Sequence, residues 1–212
     1  MDLRSSDDLF ALAPVIPVVV LSDPAAAVPL ARALVAGGIS AIEVTLRTDA
    51  ALPAIERIAA EVPDAVVGAG TVTTPEQARD AAKAGADFLV SPGCTDRLHE
   101  ALHDTGLCYL PGVSTASEAM TLLEQGVTGL KFFPAEAAGG RTYLKSLAGP
   151  LPQVRFCPTG GITAATAADY LALPNVGCVG GTWLTPADAV AAGDWVRVEQ
   201  LAWEAAALRP TG

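Results

Sequence analysis

Three groups of residues in this chain can do more than pack. The first is Lys131, in the run Gly129-Leu130-Lys131-Phe132-Phe133-Pro134-Ala135-Glu136, an ammonium among apolar neighbours. Burying an ammonium is costly without compensation. Desolvation favours the neutral amine, which is the nucleophile of Schiff-base chemistry. The plainer reading is a lysine paired with a carboxylate for packing alone. The second group is Glu43, Thr45 and Arg47, which alternate with Ile42, Val44 and Leu46. A strand there puts the polar set on one face and the apolar set on the other. A carboxylate can move protons and a guanidinium can fork onto a substrate carboxylate. The competing reading is a buried ion pair that only closes the interior. The third group is two glycine pairs, Gly160-Gly161 and Gly180-Gly181, each at the end of an apolar run. Backbone N–H groups in such turns, with a following helix, cradle a phosphate without cationic side chains. One pair alone would be no more than a tight turn; two in succession carry more information.

These residues need elements to hold them. Short apolar runs begin at Val15, Ala41, Ala65, Phe88, Cys108, Gly129, Arg155 and Val176, and an Ala-rich amphipathic run follows each. Ser22-Asp23-Pro24, Thr73-Thr74-Pro75, Thr115 and Thr163 read as helix starts; Gly37-Gly38, Ala84-Gly85 and Gln125-Gly126 read as stops. Strand–helix alternation repeated eight times predicts an α/β fold with a parallel sheet, closed as a (β/α)₈ TIM barrel. The dinucleotide fingerprint of a doubly wound sheet is absent after the first strand. Residues 5–13 predict an extra N-terminal helix across the bottom of the barrel, and Asp194 to Leu208 the last helix. No linker or low-complexity segment interrupts the chain, so residues 1–212 are expected to form a single domain.

In such a barrel the chemistry sits at the carboxyl ends of the strands. That rim collects Glu43, Arg47, Thr71 at the end of GAGTV, Pro92 in SPG, Lys131, Phe133, Thr159 and the glycine pairs with Thr182.

Composition narrows the partners. The 212 residues carry a net charge of −10, which disfavours nucleic acid and anionic membrane. Only three lysines occur, and Lys83 and Lys145 read as solvated. The N-terminus lacks a basic segment followed by an apolar run, and no stretch is apolar and long enough to span a bilayer. Four cysteines without C-x-x-C spacing read as reduced thiols of a cytoplasmic protein. His99-Glu100-Ala101-Leu102-His103 matches H-E-x-x-H, but both histidines fall off the apolar stripe of their helix and no third ligand is evident. The reading is a solvated helix face and no metal.

Taken together, a neutral amine, a proton-shuttling carboxylate, an arginine fork and a distal phosphate cradle are the parts of an aldolase for a phosphorylated 2-keto acid. A phosphosugar isomerase or epimerase on the same barrel would use the glycine pairs but needs no buried amine.

The motifs GGISAIEVTLRT, GAGTV, FLVSPG, LPGVST, GLKFFPAE, RFCPTGGI and VGGTWL, in that order, resemble the 2-keto-3-deoxy-6-phosphogluconate / 4-hydroxy-2-oxoglutarate aldolases. The resemblance runs from about Val15 to Leu184 and more weakly to the end. It implies a class I lyase on a homotrimeric (β/α)₈ barrel. Lys131 would be the Schiff-base lysine and Glu43 the proton shuttle. Arg47 and Thr71 would bind the pyruvyl carboxylate, and Thr159 the substrate hydroxyls. Pro92 and Phe133 would wall the pyruvyl pocket. Gly160, Gly161, Gly180, Gly181 and Thr182 would hold the phosphate, Thr182 standing where family members often carry serine. The implied role is the last step of the Entner–Doudoroff route, with the shorter 4-hydroxy-2-oxoglutarate, the phosphogalactonate epimer and oxaloacetate decarboxylation as alternatives on the same enamine. No cofactor is implied, because the lysine is itself the electron sink.

Overall fold

Helices begin where a side chain can take an orphan amide. Thr74, Thr95 and Thr115 accept from the N–H groups of Gln77, Leu98 and Glu118 at 3.2–3.3 Å, opening α4 (Pro75–Lys83), α5 (Asp96–Asp104) and α6 (Ala116–Glu124). Glu118 closes its box by accepting from Thr115 N–H at 2.8 Å. Thr163 opens α8 (Ala164–Leu171) with Thr166 in the same role. The expected start at Asp23 differs. Its carboxylate is taken by Ala25 N–H, two residues on, so it caps a 3₁₀ turn, and α2 begins only at Ala27. The stops lie where expected: Gly38, Gly85 and Gly126 have φ of 89°, 90° and 83°, the left-handed region that glycine enters freely.

This computed structural model describes residues 3 and 5–208. The remaining elements are α1 (Ser6–Leu12), β1 (Val15–Val19), α2 (Ala27–Ala36), β2 (Ala41–Thr45), α3 (Ala51–Glu61), β3 (Val66–Gly70), β4 (Phe88–Val90), β5 (Cys108–Leu110), β6 (Gly112–Val113), β7 (Gly129–Phe132), α7 (Gly140–Leu147), β8 (Arg155–Pro158), β9 (Val179–Gly181), α9 (Ala187–Ala192) and α10 (Trp195–Ala206). All pairings are parallel. One sheet runs β5-β4-β3-β2-β1-β9 and the other β6-β7-β8. Isolated parallel bridges, Phe156 with Val176 and Thr159 with Gly180, join β8 to the chain around β9.

The single strand expected over Cys108–Val113 is two, broken at Pro111. Proline has no N–H to donate, so the ladder to β4 stops at Leu110. Ser91, fully buried, accepts from Gly112 N–H at 3.3 Å, and the Pro111 carbonyl accepts from Lys131 N–H at 3.0 Å. The expected strand at Val176 likewise shrinks to Val179–Gly181, leaving Val176 as a bridge.

Burial separates two apolar clusters. One lies between the strands and the helices and includes Val15, Leu34, Ile42, Val44, Ile55, Leu130, Phe132 and Phe156. The other is interior and joins Leu9 and Phe10 of α1 to Ile16, Ala41, Phe88, Cys157 and Cys178. The extra N-terminal helix therefore plugs the end where β2, β5 and β7 begin. Side chains on Gly129 and Gly177 would meet Ser6 Cβ at 2.1 Å and the Phe10 ring at 2.4 Å. Each buried Leu, Ile or Phe contributes roughly 1.5–3 kcal/mol.

Among the described residues no helix is long and apolar enough to cross a membrane.

Gly68, on the interior face of β3, leaves space for the Phe88 ring; a Cβ would stand 2.4 Å from it. Gly68→Ala should cost about 1–3 kcal/mol by overpacking, read as a lowered Tm in calorimetry.

Candidate active site

β2 carries its side chains as the alternation requires. Ile42 and Val44 face the helices, while Glu43 and Thr45 face inward, 3% and 0% exposed. Thr45 Oγ1 donates to Val19 O of β1 at 2.9 Å. On β7, Leu130 and Phe132 face the helices, and Lys131 points inward, 4% exposed. The two charges meet: Lys131 Nζ lies 3.2 Å from Glu43 Oε1, across 88 residues of chain. Lys131 Nζ also lies 5.5 Å from the centroid of the half-buried Phe133 ring, within cation–π range.

The neighbouring strands make room for this pair. β3 pairs with β2 so that Glu43 opposes Gly68 and Thr45 opposes Gly70. A Cβ on Gly70 would fall 2.0 Å from Glu43 Oε1. The glycines of GAGTV thus vacate the volume that Phe88 and the Glu43 carboxylate fill. The alternation of glycines along one strand face, Gly68 and Gly70, is the sequence signal of that space. Gly112 does the same on the other side. It is in register with Lys131, and a Cβ there would lie 2.3–2.4 Å from the backbone of Pro92. The missing side chain of Gly112 thus makes room for the Pro92 backbone.

Thr71, directly after β3, has φ 58°, a left-handed conformation rare for a β-branched residue. Such strain costs about 1–3 kcal/mol and accumulates at functional sites. Its Oγ1 accepts from Arg47 Nε at 3.2 Å. Arg47 is exposed just past β2, so guanidinium and hydroxyl stand together at the rim.

Thr159 follows Cys157, which is in register with Lys131, on the same face. It is buried, and its Oγ1 donates to Cys157 O at 3.4 Å. Gly180 has no side chain because Thr159 Oγ1 fills that space, 2.2 Å from where a Cβ would be. Gly160 and Gly161 form a left-handed turn, φ 103° and 82°, and Gly160 abuts the Phe133 ring. Glu43, Arg47, Thr71, Pro92, Lys131, Phe133, Thr159, Gly160, Gly161 and Gly180 thus gather at the carboxyl ends of the strands. Gly181, the last residue of β9, and Thr182 after it stand at the same ends. Gly181 is buried under the Trp183 indole, and exposed Thr182 lines a rim cavity of about 730 Å³ with Ser22 and Asp23.

The two histidines of H-E-x-x-H lie on α5. His103 is exposed as expected, but His99 is half-buried and shares a 3.0 Å hydrogen bond with the Tyr109 hydroxyl. Burial and the neighbouring His103 lower its basicity. Among the described residues, no three His, Cys, Asp or Glu side chains gather as a metal site.

Comparison with known proteins decides the family. A sequence profile described as "Aldolase: KDPG and KHG aldolase" matches residues 7–201. The chain belongs to the KDPG and KHG aldolase family. As a family member it is an aldolase, a carbon–carbon lyase. Among its relatives is a 2-dehydro-3-deoxy-phosphogluconate aldolase of Pseudoalteromonas atlantica, 53% identical over 203 residues, 96% of this chain and 94% of that protein. The KHG/KDPG aldolase of Escherichia coli is 52% identical over 201 residues, 95% of this chain and 94% of that one. A solved KDPG aldolase from Legionella pneumophila, with pyruvate captured at low pH as a covalent carbinolamine intermediate, superposes with a TM-score of 0.92. It is 46% identical, over 94% of this chain and 97% of that one.

The pair at the centre of this aldolase can be weighed by mutation. Lys131→Met strands a buried carboxylate and should cost about 3–5 kcal/mol; adding Glu43→Leu should recover most of that, as urea unfolding would show. Burial suppresses two of the thiols: Cys94 is pushed up to about 11 and Cys108 to about 12. A thiol at 11 is ionised in about one molecule per thousand at pH 8, so iodoacetamide should label Cys94 in the native protein, followed by peptide mapping, about a hundredfold more slowly than an ordinary cysteine.

Proposed function

We propose that this chain is a class I aldolase that cleaves 2-keto-3-deoxy-6-phosphogluconate to pyruvate and glyceraldehyde 3-phosphate. On the same site it cleaves 4-hydroxy-2-oxoglutarate to pyruvate and glyoxylate. The observation that carries the reading is the buried contact of Lys131 Nζ with Glu43 Oε1 at 3.2 Å. Relatives at about half identity over nearly the whole chain, named as KDPG and KHG/KDPG aldolases, support the substrate pair.

The steps follow from that contact. Glu43 takes a proton from the Lys131 ammonium, and the free amine adds to the C2 ketone. Glu43 returns the proton to the carbinolamine hydroxyl, which leaves as water, and an iminium remains. Glu43, again a carboxylate, then takes the C4 hydroxyl proton. The C3–C4 bond breaks, its electron pair moving into the iminium as an enamine, and the aldehyde departs. Protonation at C3 by Glu43 and hydrolysis of the new iminium release pyruvate and regenerate Lys131. Arg47 and Thr71 hold the C1 carboxylate, Pro92 and Phe133 wall the three-carbon unit, and Thr159 meets the substrate hydroxyls. Gly160, Gly161, Gly180, Gly181 and Thr182 receive the phosphate through backbone N–H groups and a hydroxyl, which suits a protein of net charge −10. The iminium is the electron sink, so these steps call for no metal or organic cofactor. We read residues 1–212 as one domain, the two sheets and their bridges forming a single closed (β/α)₈ barrel. The family resemblance adds a cytoplasmic homotrimer.

Borohydride with pyruvate should add a reduced pyruvyl group to Lys131 and abolish activity. No adduct, or an adduct on Lys83 or Lys145, overturns the mechanism. Full activity in Lys131→Met would indicate an isomerase or epimerase instead. Glu43→Gln should still trap pyruvate but lose about 10²–10⁴ in kcat, measured with a coupled pyruvate assay.

A further inference from the structure

A polar strut joins the strand of Lys131 to the glycine turn after β8. Beyond β7 the N–H groups of Ala135 and Glu136 donate to Thr159 O and Gly160 O, at 2.8 and 3.1 Å. The Glu136 stem lies against Gly161: a Cβ on that glycine would stand 2.6 Å from Glu136 Cγ. Glu136 Oε1 accepts from the Tyr170 hydroxyl at 2.5 Å. Tyr170 is fully buried on α8, the helix that leaves the same turn. Gly140, φ 57°, completes the arrangement. A Cβ there would lie 3.1 Å from the Tyr170 hydroxyl and 3.5 Å from Glu136 Oε2. Burial and the adjacent carboxylate keep the phenol protonated and donating well above neutral pH.

Glu136 is exposed overall, yet its backbone, stem and carboxylate all have structural partners. Two consecutive glycines have more conformations to lose than any other dipeptide. An anion bound by their N–H groups must bear that ordering cost unless the protein has already borne it. The strut holds the turn from one side, and its hydrogen bond to Tyr170 keeps a negative charge from swinging into an anion site. None of its contacts involves Lys131 Nζ or Glu43.

We propose that Glu136, held by Tyr170, is a positioning residue that shapes the Gly160-Gly161 turn and thereby sets the preference for phosphorylated over unphosphorylated 2-keto acids. This rests on the reading above that the turn receives the substrate phosphate.

The test compares kcat and KM on 2-keto-3-deoxy-6-phosphogluconate and on 4-hydroxy-2-oxoglutarate for wild type, Glu136→Ala, Glu136→Gln and Tyr170→Phe. Glu136→Ala should raise KM for the phosphorylated substrate about tenfold, the scale of one lost charge-assisted hydrogen bond. Its kcat and KM on the unphosphorylated substrate, and its borohydride adduct with pyruvate, should match wild type. Glu136→Gln keeps the stem and an acceptor, so it should restore most of the preference; Tyr170→Phe should fall between. Equal losses on both substrates, or an unchanged preference in Glu136→Ala, overturn the proposal. If Glu136→Ala does not fold, Tyr170→Phe, which removes one oxygen, decides by the same ratio. A different result marks failure of the underlying reading: wild type that cleaves both substrates with a KM indifferent to the phosphate has no phosphate cradle to shape.

Discussion

An ammonium and a carboxylate stand 3.2 Å apart in the interior of this protein, each almost without solvent. Desolvating two charges is expensive, and apolar residues of similar volume would serve stability as well or better. The surroundings are nevertheless arranged to keep the pair. Gly70 gives up its side-chain volume to Glu43 Oε1, and Gly112, in register with Lys131, gives up its own to the Pro92 backbone. Thr71 accepts a left-handed backbone one residue beyond Gly70. These concessions all fall around one contact, the one on which the proposed proton transfer rests.

The molecule has two unlike ends. Where the strands begin, α1 inserts Leu9 and Phe10 into an apolar interior, and Gly129 of β7 and Gly177 just before β9 leave room to admit it. Where the strands end, polar side chains and left-handed glycines take over. Backbone dipoles there can hold an anion although the chain is strongly acidic. The Pro111 break belongs to this design: it lets Ser91 and the Pro111 carbonyl take over the amides of Gly112 and Lys131 next to the buried ion pair.

Much of this was legible in one dimension. The period-two alternation of Glu43 and Thr45 against Ile42 and Val44, and of Lys131 against Leu130 and Phe132, named the inward faces correctly. Thr74, Thr115 and Thr163 start their helices as read, because capping is decided within four residues. Asp23 also opens its helix ahead of Pro24, but through Ala25 N–H, so the first turn is 3₁₀ and runs directly into α2. His99 was placed in solvent because a helical wheel cannot know that Tyr109, on the next strand, reaches back to it. The strand at Pro111 was read through because the apolar run is continuous although its hydrogen-bond donors are not.

What the sequence alone determined is therefore local: which segments alternate, where helices open and close, and which side chains face inward. Those follow from backbone periodicity and from hydrogen bonds spanning a few residues. The meeting of Lys131 with Glu43, of Arg47 with Thr71, and of Glu136 with Tyr170 was decided only by the folded sheet and its helices. Each joins elements far apart in the chain, and their distances depend on strand register and on the volume that glycines on neighbouring elements leave empty. A missing side chain has no local signature; its consequence appears only when another segment arrives to fill the space.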